Sequence, residues 1–102
     1  MPYELLTDSE VLTAVQTFAR QSKIGWSTHA QERMAERGFD RGQIKQCLSL
    51  GYFIERPHIP NRGGELEYKF TLEGNVDGEC INVVASLIPE KKILVITVIA
   101  PR

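Results

Sequence analysis

Ile44-Lys45-Gln46-Cys47-Leu48-Ser49-Leu50-Gly51-Tyr52-Phe53-Ile54-Glu55-Arg56 is where the chain changes its period. Ahead of Gly51, the residues Ile44, Cys47 and Leu48 recur at the spacing of one helix face, and Asp40 stands where it caps that helix. Beyond Gly51 the spacing becomes that of a strand, and Tyr52–Arg56 reads as a short one ended by Pro57. Helical spacing dominates everything before this point and alternation everything after it. Helices first and strands afterwards, with short connections between the later strands, predict an α+β domain.

Working back toward the N-terminus, Thr7 and Glu10 form a capping-box pattern. Val11, Leu12, Val15, Phe18 and Ala19 then make one apolar stripe, giving a leading helix over residues 7–22. Lys23–Trp26 reads as a link. A second helix starts at Ser27 or Thr28, carries a thin apolar face of Ala30, Met34 and Ala35, and stops at Gly38, which suits a left-handed helix end.

Working forward, His58–Gly64 contains Pro60, Asn61, Gly63 and Gly64 and reads as a mobile loop. Glu65–Thr71 alternates, with Leu66, Tyr68 and Phe70 on one face. Asp77-Gly78 marks a hairpin turn. Cys80–Ile88 directs Ile81, Val83, Ala85 and Leu87 toward the core. Pro89–Lys92 turns the chain into Ile93–Ile99, whose nearly continuous apolar run predicts a central strand covered on both faces. The expected architecture is N-terminal helices packed on one face of a four-stranded antiparallel sheet. Its other face would carry Glu67, Lys69, Thr71, Asn82 and Thr97, a polar, solvated mixture that suits a binding platform and equally an ordinary half-exposed sheet face.

At 102 residues the chain is read as a single domain, 1–102. A composition 42% hydrophobic and 25% charged is that of a soluble globular protein. No apolar run approaches the roughly 20 residues of a membrane span. Met1–Glu10 lacks the basic-then-apolar order of a secretory signal, so a cytoplasmic location is expected. The net charge of −1 excludes a uniformly basic nucleic-acid binder, so an anionic partner needs a local patch. Cys47 and Cys80 read as buried thiols rather than a disulfide scaffold. Two histidines without cysteine or acidic ligand spacing do not make a zinc site. Without a Gly-rich phosphate loop, nucleophile elbow or dinucleotide fingerprint, no cofactor is expected.

The local patch is Ser27-Thr28-His29-Ala30-Gln31-Glu32-Arg33-Met34-Ala35-Glu36-Arg37-Gly38-Phe39. His29, Arg33 and Arg37 follow at i+4 steps and share one stripe of a helix. With His29 at zero, steps of about 100° put Arg33 near 40° and Arg37 near 80°, bordering the buried face. A titratable imidazole beside two permanent cations suits a phosphate. His29 lies in the first turn, where the helix dipole favours the neutral ring. The Ser27 and Thr28 hydroxyls and the first-turn N–H groups offer further contacts to an anion. The plainer alternative is a solvated face in which Glu36, three residues after Arg33, makes a weak ion pair. His58, beside Arg56 and Arg62, is a second candidate, and Arg41 and Lys45 extend the basic series beyond the Gly38 turn.

Thr28-His29-Ala30, Arg33-Met34, Glu36-Arg37-Gly38, Leu48-x-x-Gly51, the strand around Tyr68 and the closing Val95-Ile96-Thr97-Val98 together resemble domain-of-unknown-function family 4258. The resemblance covers about residues 24–100. That family is thought similar to RelE-like toxins within the barnase, colicin and RelE group of ribonucleases. The resemblance implies helices on an antiparallel sheet, metal-independent RNA cleavage, and RNA and an antitoxin as partners. It implies His29 as base or acid, Arg33 and Arg37 as phosphate ligands, and Lys69 or Tyr68 as contributors from the sheet. Against RNA on the hairpin side stand Glu65, Glu67, Glu73, Asp77 and Glu79. The alternative function is a non-catalytic module that docks a protein or nucleotide on the same His/Arg face.

Overall fold

A computed structural model describes residues 5–60 and 65–100. Its elements are α1 (Asp8–Arg20), β1 (Ile24–Trp26), α2 (Thr28–Arg37), α3 (Arg41–Leu50), β2 (Tyr52–His58), β3 (Tyr68–Val76), β4 (Glu79–Ile88) and β5 (Lys92–Ile99). They build an α+β fold in which the strands run in the order β1-β5-β4-β3-β2.

The sheet therefore has five strands and is mixed, which corrects the expected four antiparallel ones. Residues 23–26, read as a link, contain an edge strand that pairs in parallel with β5, Ile24 beside Ile93 and Trp26 beside Val95. Three residues are too few to display an alternation, so β1 has no sequence signature. Its conformation comes from its partner: Ile93 N–H donates to Lys23 C=O at 2.9 Å, and Ser27 N–H to Val95 C=O at 3.1 Å. Strand β2 also continues past Pro57 to His58. An edge strand tolerates a residue without an N–H, and register shifts after Phe53 and Glu55 loosen the ladder there.

Local chemistry sets the helix limits. Thr7 and Glu10 cap α1 reciprocally, as Asp40 and Gln43 cap α3. Ser27 is the cap of α2, and Gly38 ends that helix at φ 76°. Helix α1 ends differently: Ser22 N–H bonds Ala19 C=O and Lys23 N–H bonds Phe18 C=O, with Ser22 at φ 59°. That is a Schellman end with serine where glycine is usual.

The core lies between the helices and one sheet face. Val11, Val15 and Ala19 of α1 and Ile44, Cys47 and Leu48 of α3 are buried with Phe70, Leu72, Ile81, Val83, Ala85 and Leu87. The inward set expected of β4 is fully enclosed. Strand β5 is interior but covered on one face only. Ile93, Val95 and Val98 are buried, Leu94 and Ile96 are half-buried, and Ile99 is exposed. A bulge opposite Val84 and Ala85 inserts an extra residue into β5, so its inward positions fall at 93, 95 and 98. The outward Leu94, Ile96 and Ile99 are apolar as well, which makes the segment look continuous in sequence. Ala35 and Cys80, expected inside, are exposed, because the buried arc of α2 narrows to Ala30 and Met34 and Cys80 projects from the sheet's outer face near the hairpin.

Candidate anion-binding surface

The Ser27 side chain ties the start of helix α2 to the sheet. Ser27 Oγ accepts from Ala30 N–H at 2.9 Å and donates to Ile96 C=O at 2.8 Å. Ala30 and Met34 then face inward, which leaves His29, Arg33 and Arg37 along one flank at helical steps of about 100°. Thr28, His29 and Arg37 are exposed, and Arg33 is half-exposed. Arg33 Nη1 lies 3.5 Å from Glu36 Oε1. An open pair that long is easily exchanged for a ligand oxygen. Among the described residues Arg37 has no ion pair.

The other candidates lie apart from this flank. Tyr68 is buried, and its hydroxyl accepts from Leu6 N–H at 3.0 Å. Lys69 pairs in register with His58 and Ser86 on the outer face of the sheet. Thr97, opposite Val84, shares that face. His58 is exposed at the end of β2, next to an Arg56–Asp8 ion pair of 2.7 Å that ties this edge to α1. Arg62 and the rest of the expected loop over 61–64 lie outside the described residues.

Arg41 is on the opposite flank of α2. Its Nη2 lies 3.4 Å from Gln31 Oε1, and its guanidinium sits over the Trp26 ring at 5.2 Å. Gln31 is about 200° from His29 on the wheel, across the buried face. Sequence reasoning misses Trp26. Residues 24–26 and 41–45 meet only in the folded chain, so no spacing points to their association.

The thiols are ill suited to nucleophilic work. Burial, then the neighbouring Cys80 and Glu73, pushes Cys47 up to about 12. Desolvation, then the Glu73 carboxylate, raises Cys80. Thiolate is the reactive form, so both shifts oppose reaction. Among the described residues no group of three or more His, Cys, Asp or Glu is placed to hold a metal.

The model of the family described as Domain of unknown function (DUF4258) matches residues 26–100. The chain belongs to this family. The DUF4258 region begins at Trp26, so α1 and most of β1 precede it, while the His/Arg flank, α3 and β2 to β5 lie within it, Ala100 being its last residue. No curated protein matches the chain, and no solved structure does. No described helix is long and apolar enough to cross a membrane.

Proposed function

We propose that this DUF4258 protein binds the phosphodiester backbone of single-stranded RNA along the His29–Arg33–Arg37 flank and does not cut it. One observation carries the reading: three basic-type side chains at i+4 steps share a solvent-facing flank of a helix whose other side is fixed to β5. Successive phosphates of an extended strand present charge along a line, and a helical row of guanidiniums complements that. The net charge of −1 does not oppose this locally, because at physiological salt exposed charges are screened beyond about 8 Å.

Binding is favoured over cleavage by the setting of His29. A catalytic imidazole needs an orienting partner and donors aimed at the developing charge. His29 is exposed, and two of the best-formed cavities among the described residues are lined by other side chains. Tyr68 and Lys69, the sheet residues implied by the RelE-like resemblance, are occupied or placed elsewhere.

Fluorescence anisotropy with a labelled RNA oligomer across a salt series tests this. The double variant Arg33→Gln/Arg37→Gln should flatten the slope of log K against log salt by about 1.4, at roughly 0.7 for each phosphate no longer neutralised. The RNA should be recovered intact. An unchanged slope would remove the site assignment. Cleavage by the wild type that disappears in His29→Ala would replace the binding reading with the nuclease.

A further inference from the structure

The far flank of α2 opens on a cleft of about 350 Å³, lined by Ser22, Ile24, Trp26, Arg41, Gly42 and Lys45. This volume lies at the lower end of the range of small-molecule sites, about 300–1,000 Å³. We propose that this cleft binds a nucleoside monophosphate unit, the base against the Trp26–Arg41 stack and the phosphate at Lys45. It does not rest on the His/Arg flank, from which the buried face of α2 separates it.

Three observations converge. The first is charge. Arg41 and Lys45 are one helical turn apart on α3 and line the same side of the cleft. The ion pairs among the described residues join Arg33 to Glu36, Arg56 to Asp8 and Lys91 to Glu65, so neither cleft cation is neutralised by a carboxylate. Their partners are neutral: Gln31 for Arg41, and the Ser22 hydroxyl, 2.9 Å from Lys45 Nζ. Asp40, next in sequence, caps α3 through Gln43 N–H at 2.8 Å and forms no ion pair with Arg41 or Lys45. Two unneutralised cations in a recess, in a chain of net charge −1, mark a place for an anion.

The second is the flat surface. Trp26 and Ile24 give the cleft an apolar wall, and the Arg41 guanidinium over the indole extends it. Aromatic rings and guanidinium planes are the surfaces on which nucleobases stack. Inorganic phosphate would leave that wall unused.

The third is Ser22. A non-glycine residue in the left-handed region is strained, because its Cβ crowds the backbone. Here that conformation carries a hydroxyl into the cleft, where Lys45 is bonded to it. Glycine would relieve the strain but supply no hydroxyl. The same hydroxyl can accept from Lys45 and donate to a phosphate oxygen.

Trp26 is the chain's single tryptophan, so its emission reports the cleft directly. The intact chain is titrated with AMP, adenosine and inorganic phosphate at matched ionic strength, with calorimetry in parallel. AMP should alter the emission saturably, while adenosine and phosphate should need at least tenfold higher concentrations. Arg41→Gln and Lys45→Gln should each weaken AMP tenfold or more, and Lys45→Arg should restore most of the loss. A 5′-phosphorylated RNA trinucleotide distinguishes the sources. Tighter binding than AMP assigns an RNA terminus, and equal binding assigns the free nucleotide. No saturable binding of either ligand by emission or calorimetry overturns the proposal, as does phosphate binding as well as AMP, or an unchanged affinity in Lys45→Gln. None of these outcomes touches RNA binding by Arg33 and Arg37, which the salt series reads separately.

Discussion

The two flanks of α2 are both basic, yet they are built by different means. His29, Arg33 and Arg37 are placed by one helix acting alone, and they stand in water. Arg41, Lys45 and Trp26 come from α3 and an edge strand, and they meet in a recess. The first arrangement tolerates movement of the rest of the fold, because its geometry is the 1.5 Å rise and 3.6-residue turn of a helix. The second exists only while α3 stays seated on the sheet. A surface that contacts a flexible polyanion needs no more than the first; a pocket that discriminates a ligand needs the second.

The largest expected effect breaks the second flank from behind. Cys47 lies between α3 and the sheet, its Sγ 3.6 Å from Ile81 C=O. Its thiol is raised from 9.0 to about 12, chiefly by burial. A raised folded value means that the unfolded chain loses its proton first. The contribution to stability is whole below pH 9 and is lost as pH rises through about 12. Between those limits Cys47 should remove up to about 1.4 kcal/mol of stability per pH unit. Urea unfolding at pH 8, 10 and 11 should show that loss in the wild type and a shallower one in Cys47→Ala. Equal slopes in the two proteins would show that ionisation of Cys47 does not govern the seat of α3.

A smaller push on the same contact separates the flanks in one variant. A Cβ added at Gly74 of β3 would lie 3.0 Å from Cys47 Sγ and 3.3 Å from Cys47 Cα. That forces α3 outward and should cost about 1–3 kcal/mol, read as a lower urea midpoint. Gly74→Ala should lose AMP affinity in the cleft while keeping the RNA salt slope, since Ser27 holds α2 to β5 independently. Loss of both in parallel would mean that the flanks are one structural unit.

This contrast also explains what is legible before folding. The caps at Thr7, Ser27 and Asp40, the stop at Gly38, the inward set of β4 and the i+4 row on α2 are all local, and the sequence displays local order. Strand β1 and the bulge in β5 are not local: β1 takes its extended form from β5, and the bulge shows only as a lapse in alternation. The cleft falls in the same class. Arg41 and Lys45 are visible as basic residues, but nothing near them in the chain points to Trp26, which reaches them through a parallel pairing with Val95. The family match covers the whole His/Arg flank but begins at Trp26, so Ser22 and Ile24 of the cleft precede it.

The smallest effect is the most discriminating, because its two parts have opposite signs. Ser22→Gly should raise stability by a few tenths to about 1 kcal/mol, since relief of the left-handed φ of 59° exceeds the added entropy of an unfolded glycine. The Lys45 bond it gives up is exposed and contributes little to the fold. AMP affinity should fall two- to fivefold as the hydroxyl disappears, with the RNA salt slope unaltered. If stability fell instead, the bond to Lys45 would be what holds the α1 terminus, and serine would be explained by the fold alone. A rise in stability accompanied by weaker cleft binding leaves a different cause: a residue that strains its own helix end because the recess beside it uses the oxygen.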